Sequence, residues 1–126
     1  MNISCGIDII EIDRIKRSIE TTGDKFLNRV YTKNEINYCE NKKNQKYQHY
    51  AARFAAKEAV FKAISGMLDD KYSINWKDIE IENDKQGKPS VKIYNQELIN
   101  EKIKNIDLSL SHCKEYATAM VIVLSL

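Results

Sequence analysis

The stretch Arg53-Phe54-Ala55-Ala56-Lys57-Glu58-Ala59-Val60-Phe61-Lys62-Ala63 decides how this chain folds. Wound as a helix at about 100° per residue, it gathers Phe54, Val60, Phe61 and the following Ile64 into a broad apolar side. Ala52, Ala55, Ala56, Ala59 and Ala63 form a smooth side that another element can approach closely. A helix apolar on nearly every side belongs inside a protein. This one nevertheless carries Arg53, Lys57, Glu58 and Lys62. Glu58 lies within about 60° of both Phe54 and Phe61 on the wheel, so it cannot reach a solvent face without them. A buried carboxylate needs a cation, a metal or several donors, or it stays protonated. Two readings are open here. Glu58 and Lys62, with the acid four residues N-terminal to the base, make an ordinary helix pair while the basic stems snorkel outward. Alternatively, the charges form a functional site.

Working outward towards the N-terminus, Ile3 to Ile12 alternates as a strand. Ile3, Cys5, Ile7 and Ile9 share one face, and Ser4, Gly6, Asp8 and Ile10 share the other. Asp8 is out of place among isoleucines, because Asp is depleted in strands. It is either a strand-end or cap residue or a metal-binding or catalytic carboxylate. Gly6 before it suits a close approach by backbone or ligand. Asp13 to about Thr21 reads as a short amphipathic helix with Ile12, Ile15 and Ile19 inward. Arg14, Lys16 and Arg17, followed by Lys25 and Arg29 in the next helical segment, make a positive patch. It is a solvated face or a docking surface for an acidic partner. Phe26 beside it would give such a surface an apolar anchor.

Thr32-Lys33-Asn34-Glu35 fits a capping box that opens a helix to about Cys39. The polar run Asn41–Gln48 is a loop or exposed turn, and the central helix spans about Tyr47 to Ser65-Gly66, with Gly66 as its C-terminal cap. Trp76–Glu82 and Ser90–Tyr94 alternate like strands around the turn-rich Asn83–Pro89 loop. Asn95 to Lys104 reads as a helix with Leu98, Ile99 and Ile103 as its apolar side. Asp107–His112 and Ala117–Leu124 make a final hairpin about Lys114-Glu115, and His112 ends a strand where the turn begins. A histidine there is a surface residue or a phosphate-contacting group.

With 126 residues, 43% hydrophobic and 30% charged, the chain has the composition of one soluble domain spanning 1–126. A net charge of +2 is too small to imply a nucleic-acid partner. No apolar run approaches the roughly 20 residues of a membrane span, and the N-terminus lacks the pattern of a signal peptide. Cys5, Cys39 and Cys113 are odd in number, far apart and without zinc-site spacing, as expected of reduced thiols in the cytoplasm. There is no Gly-rich phosphate loop, nucleophile elbow or His-Glu-x-x-His. The remaining chemistry is narrow. Asp8 and Glu58 offer oxygen ligands of the kind that suit Mg²⁺. Arg53, Lys57 and Lys62 around Glu58 are residue types that hold phosphate. Carboxylates, metal and lysine together are the parts of phosphoryl-type transfer.

Five blocks in order carry a resemblance over essentially the whole chain. They are Gly6-Ile7-Asp8-Ile9-Ile10-Glu11-Ile12-Asp13-Arg14-Ile15, Arg53 to Ala59 with Lys62-Ala63, Gly87-Lys88-Pro89, Ser109-Leu110-Ser111-His112 and Tyr116-Ala117. On them the chain resembles the 4'-phosphopantetheinyl transferase family, in its short holo-acyl-carrier-protein synthase branch. The resemblance implies an α+β fold, an antiparallel sheet packed against the long central helix. It implies transfer of 4'-phosphopantetheine from coenzyme A to a serine of apo-acyl carrier protein in fatty acid biosynthesis, releasing adenosine 3',5'-bisphosphate. Asp8 and Glu58 would be the Mg²⁺ ligands. Glu58, or a water at the metal, would help remove the serine proton, and Lys62 would hold the pyrophosphate. Arg53 and His112 would lie towards the 3'-phosphate and adenine, with Gly87 and Pro89 shaping that pocket. Arg14, Lys16, Arg17, Lys25, Phe26 and Arg29 would receive the carrier protein. The resemblance also implies homotrimers with active sites between subunits. One departure is Ser65-Gly66-Met67 where the family has Gly-x-Gly, which could narrow a backbone approach. Broader-specificity transferases are about twice as long with two similar halves, and this chain shows no duplication. A non-catalytic module docking an acidic partner is the alternative from another class.

Overall fold

A computed structural model describes residues 1–68 and 74–126. The order of elements is β1 (Asn2–Glu11), α1 (Ile12–Thr22), α2 (Asp24–Val30), α3 (Lys33–Glu40), α4 (Lys46–Ile64), β2 (Ile79–Asn83), β3 (Pro89–Ile93), α5 (Gln96–Glu101), β4 (Ile103–His112) and β5 (Tyr116–Ser125). The architecture is α+β with antiparallel sheets around the long helix α4, as expected. Strands β1, β5 and β4 form one sheet in that spatial order, so β1 and β4 are its two edges. Strands β2 and β3 form a separate hairpin.

Helix α4 is buried over most of its length, including Arg53 and Lys57. Its C-terminal half packs with β2, β3, β4, β5 and α5 into one apolar cluster. Its N-terminal half packs with α1, α2 and α3 into another. The alanine side meets the sheet. Gly6 of β1 sits against it so closely that a Cβ would fall 2.0 Å from the carbonyl oxygen of Ala59. The ligand-free explanation of Gly6, a backbone approach, therefore holds. Phe54 stacks on Trp76 with ring centroids 5.0 Å apart, and Phe61 meets the same ring edge-on at 5.3 Å.

The alternation of β1 is as read, and the isoleucine face is the outer one. Ile7 is 65% exposed and stands opposite Met120, which is 45% exposed. Ile3, Ile9 and Ile122 are exposed around them. Ser4, Gly6, Asp8 and Ile10 face α4. The Thr32 capping box forms, with Thr32 N–H donating to Glu35 and Glu35 N–H donating to the Thr32 hydroxyl.

Three places differ from the sequence reading by more than a residue. Trp76–Asp78 is a 3₁₀ turn opened by an Asn75–Asp78 capping box, and the strand starts at Ile79. Helix α5 stops at Glu101, and Ile103 and Lys104 belong to β4, because Ile103 pairs with Ser125. Gly66 is not a left-handed cap. Ser65–Met67 continues α4 as a 3₁₀ turn, with Ser65 at φ −55°. This turn demands no glycine, so Ser65 and Met67 fit it without backbone strain.

Candidate active site

Two clefts collect the candidate residues. The first, about 240 Å³, is lined by Asp8, Ile9 and Ile10 of β1, Arg14, Ile15 and Ser18 of α1, Phe26, and Phe54 and Glu58 of α4. The absence of a side chain at Gly6 lets β1 lie on α4, and two residues further Asp8 emerges beside the next turns of the helix. Lys62 Nζ donates to Asp8 Oδ1 at 3.1 Å and to the Ile7 carbonyl at 2.9 Å. The Thr118 hydroxyl donates to the Asp8 carbonyl at 2.8 Å and ties β5 to this point of β1. Burial, and next the Asp8 charge, push the Glu58 carboxyl above its ordinary range, while Lys62 pulls it down. Asp8, Glu58 and Lys62 are therefore neighbours.

The donor set suits one particular kind of metal. Among the described residues no cluster of three or more His, Cys, Asp or Glu exists, which disfavours a zinc-type site. A pair of carboxylates on one cleft wall suits Mg²⁺, which keeps water and substrate oxygens in its other positions. Burial contributes most to the upward shift of Glu58, and the Asp8 charge adds the part that a divalent cation between the two carboxylates would relieve.

The second cleft, about 400 Å³, lies at the β4 edge of the sheet. Arg53, Gly87, Pro89 and His112 meet there, with Tyr38, His49, Asn83 and Lys88. No carboxylate is among its lining residues. Arg53 is almost fully buried, its guanidinium 4.2 Å above the Tyr38 ring. One terminal nitrogen donates to Asn83 Oδ1, and Nε has no partner. Gly87 adopts φ +88°, a left-handed conformation that favours glycine. His49 is held to about 4 by burial, then by Arg53, Lys42 and His112, so it is neutral at neutral pH.

Several expectations are corrected. Lys57 is not near Glu58's cleft. It is fully buried, pairs with Glu35 at 2.7 Å and donates to the Val30 carbonyl at 2.7 Å and the Trp76 carbonyl at 3.1 Å. Arg53 also points away from Glu58, into the second cleft. Phe26 is only 8% exposed, packed on Phe54 and Tyr31. It forms cleft floor rather than a protruding anchor. Arg14, Lys16, Arg17, Lys25 and Arg29 are exposed along α1 and α2, with Arg17 paired to Asp13 at 3.1 Å. Tyr38, His49 and Asn83 were not anticipated. His49 precedes Arg53 by one helical turn, so spacing alone places the two on one face. A third depression between the β1–α1 junction and the β4–β5 turn is lined by Glu11, Asp13 and Glu115 and by Lys16 and Lys114, so its charges oppose one another.

These two clefts sit on a scaffold with known counterparts. The 4'-phosphopantetheinyl transferase superfamily matches residues 4–121, and the chain belongs to that superfamily. A holo-[acyl-carrier-protein] synthase of Ruminiclostridium cellulolyticum is 47% identical over 126 residues, covering 98% of this chain and 92% of that protein. The crystal structure of Helicobacter pylori holo-[acyl-carrier-protein] synthase in complex with coenzyme A matches 95% of this chain and 99% of its own, at 30% identity and a TM-score of 0.80. A Bacillus anthracis holo-(acyl-carrier-protein) synthase in complex with coenzyme A (3',5'-ADP) matches 95% of this chain and 94% of its own, at 38% identity and a TM-score of 0.75. Among the described residues no helix is long and apolar enough to cross a membrane.

Proposed function

We propose that this chain transfers the 4'-phosphopantetheine group of coenzyme A to a serine hydroxyl of apo-acyl carrier protein, with Mg²⁺, releasing adenosine 3',5'-bisphosphate. It is an enzyme of the holo-[acyl-carrier-protein] synthase type, acting in fatty acid biosynthesis. The observation that carries this reading is the convergence of Asp8 and Glu58 on one cleft, with Lys62 bound to Asp8, in a chain of this superfamily.

The serine oxygen attacks the phosphorus that bears pantetheine, and the bond from that phosphorus to the bridging pyrophosphate oxygen breaks. Asp8 and Glu58 would hold Mg²⁺, which when bound neutralises charge building on the pyrophosphate. Lys62, already bridging Asp8 and a β1 carbonyl, extends its ammonium towards the pyrophosphate. Glu58, or a water at the metal, would accept the serine proton. Arg53 and His112, with Gly87 and Pro89, take the 3'-phosphate and adenine end. The carboxylate-free lining and the unpartnered Arg53 Nε support that assignment.

Asp8 lies on one edge strand and His112 on the other, with β5 between them. Two strand spacings, about 10 Å, separate such edges. A site joining both clefts is best completed by a second copy, and we read the active site as lying between subunits of a homotrimer. The exposed Ile3, Ile7, Ile9, Met120 and Ile122 supply a face for that contact. Arg14, Lys16, Arg17, Lys25 and Arg29, with Phe26 in the adjoining floor, receive the acidic carrier protein. The three thiols are free, consistent with a cytoplasmic enzyme whose single domain spans 1–126.

The test is intact-mass analysis of apo-acyl carrier protein incubated with this protein, coenzyme A and Mg²⁺. A gain of one phosphopantetheine that disappears with EDTA is expected. No gain with several carriers, while coenzyme A binds, would overturn the assignment.

A further inference from the structure

Asn83 is the last residue of β2 and stands between α4 and the hairpin rim. Its side-chain oxygen accepts from Arg53, and its Nδ2 donates to the Gly87 carbonyl at 3.0 Å. Among the described residues the ion pairs involve Arg17, Lys46, Lys57 and Lys62 and not Arg53, whose other restraint is the Tyr38 ring. The rim itself is tied by Asp84, which exchanges backbone bonds with Gly87 and Lys88 at 2.9 and 3.0 Å and accepts from the Gln86 and Lys88 amides. One neutral amide thus links a buried cation on the helix to the glycine that turns the opposite wall.

We propose that Asn83 is a positioning residue, holding Arg53 and the Gly87-Lys88-Pro89 rim at the spacing that an anionic nucleotide requires. The inference rests on reading this cleft as the nucleotide end. The chemistry explains why the residue is an amide. An Asp would keep the acceptor for Arg53 but neutralise the cation that a phosphate needs. It would also set a second acceptor against the Gly87 carbonyl, where Asn donates. A residue without either group would leave the guanidinium free to shift on the Tyr38 ring. Asn orients the cation without discharging it.

Asn83→Asp and Asn83→Ala separate this role from a merely structural one. Adenosine 3',5'-bisphosphate binding is measured by titration calorimetry on the intact protein, beside melting temperature and the steady-state constants for coenzyme A. Both variants are expected to bind the nucleotide about tenfold more weakly or worse. KM for coenzyme A should rise in parallel, with kcat at saturation nearly unchanged. The Asp variant should melt close to the parent, since it retains the Arg53 contact. Nucleotide affinity of Asn83→Asp equal to the parent overturns the proposal. So does unchanged affinity in Arg53→Ala, because Asn83 acts through that guanidinium. A parent protein that binds the nucleotide, loses it on Asn83→Asp, and yet modifies no carrier leaves the positioning role standing and sinks the transfer reaction instead.

Discussion

The α-carbon of Gly6 sits against the carbonyl of Ala59 with no room for a methyl group between them. An added Cβ would also fall 2.9 Å from Ala63 N, so both near neighbours are backbone and cannot rotate away. Gly6→Ala should therefore push β1 off α4 and cost about 3 kcal/mol or more of stability. It should also part Asp8 from Glu58 and Lys62. Urea unfolding and transfer assays on the folded fraction check both halves. Stability within experimental error of the parent would contradict the packing described.

The raised Glu58 carboxyl sets a pH dependence. Its folded-state value lies above the ordinary 4.5 because of burial first and Asp8 second. The native state therefore holds this proton more tightly than the unfolded chain, and stability from this group declines as pH rises through the window above 4.5. The group is only partly buried, so the slope is shallow. Without metal, Glu58→Gln should flatten that part of the stability curve. Mg²⁺ requires the ionised form, so its affinity should weaken as pH falls through the same window. Millimolar Mg²⁺ should raise the melting temperature of the parent and leave Asp8→Asn and Glu58→Gln unmoved. Equal Mg²⁺ responses in all three proteins would remove these residues as ligands.

Lys57 is a stability residue on this structure. Replacing it with Met strands the Glu35 carboxylate, whose other partners are the Thr32 and Ile81 amides at 2.9 Å each. Such a break typically costs about 3–5 kcal/mol. Chemical denaturation should register that loss, while KM for coenzyme A in the folded protein stays at the parent value. A stable variant with a raised KM would return Lys57 to the substrate.

Two half-sites on opposite sheet edges predict complementation. Asp8→Asn and His112→Ala should each be severely impaired alone. Mixed and allowed to exchange subunits, they should recover a measurable part of the activity, because some interfaces pair an intact first cleft with an intact second cleft. No recovery despite proven exchange would place a whole site in one chain. Ile7→Asp on the outer face should lower the mass seen by sedimentation and abolish transfer together.

The basic patch is tested by Lys25→Glu with Arg29→Glu. Both residues are exposed and lie outside the lining of either cleft. KM for the carrier should rise about tenfold, on-rates should lose their salt sensitivity, and coenzyme A binding should persist. Unchanged carrier kinetics would move docking elsewhere.

Much of this was written in spacing. Gly6 and Asp8 share a parity, so whatever the strand packs against meets both. The alternation could not say which face was inner, because both faces of β1 carry isoleucine and only α4 distinguishes them. On α4 itself, Arg53 and Glu58 are five residues apart, about 140° around the axis. That interval already parts them into different clefts. Lys57 follows Arg53's side of the helix by the same arithmetic, although its partner could not be read. Glu35 is recruited from a capping box on α3, and local patterns carry no information about which distant helix a cap will touch. The overrun at Ile103 has a similar origin. Leu98, Ile99 and Ile103 keep helical spacing, and only pairing with β5 converts the last of them to strand.

The Arg53 cleft has a lining of cations and neutral groups, with nothing to repel a phosphate. If this cleft takes the nucleotide end as proposed, nothing in its lining distinguishes a nucleotide that still carries pantetheine from one that has just given it up. Under the proposed reading of this cleft, released adenosine 3',5'-bisphosphate is expected to compete with coenzyme A for re-entry, a competition that product-inhibition kinetics would show. Such competition would tie the pace of carrier activation to removal of the spent nucleotide.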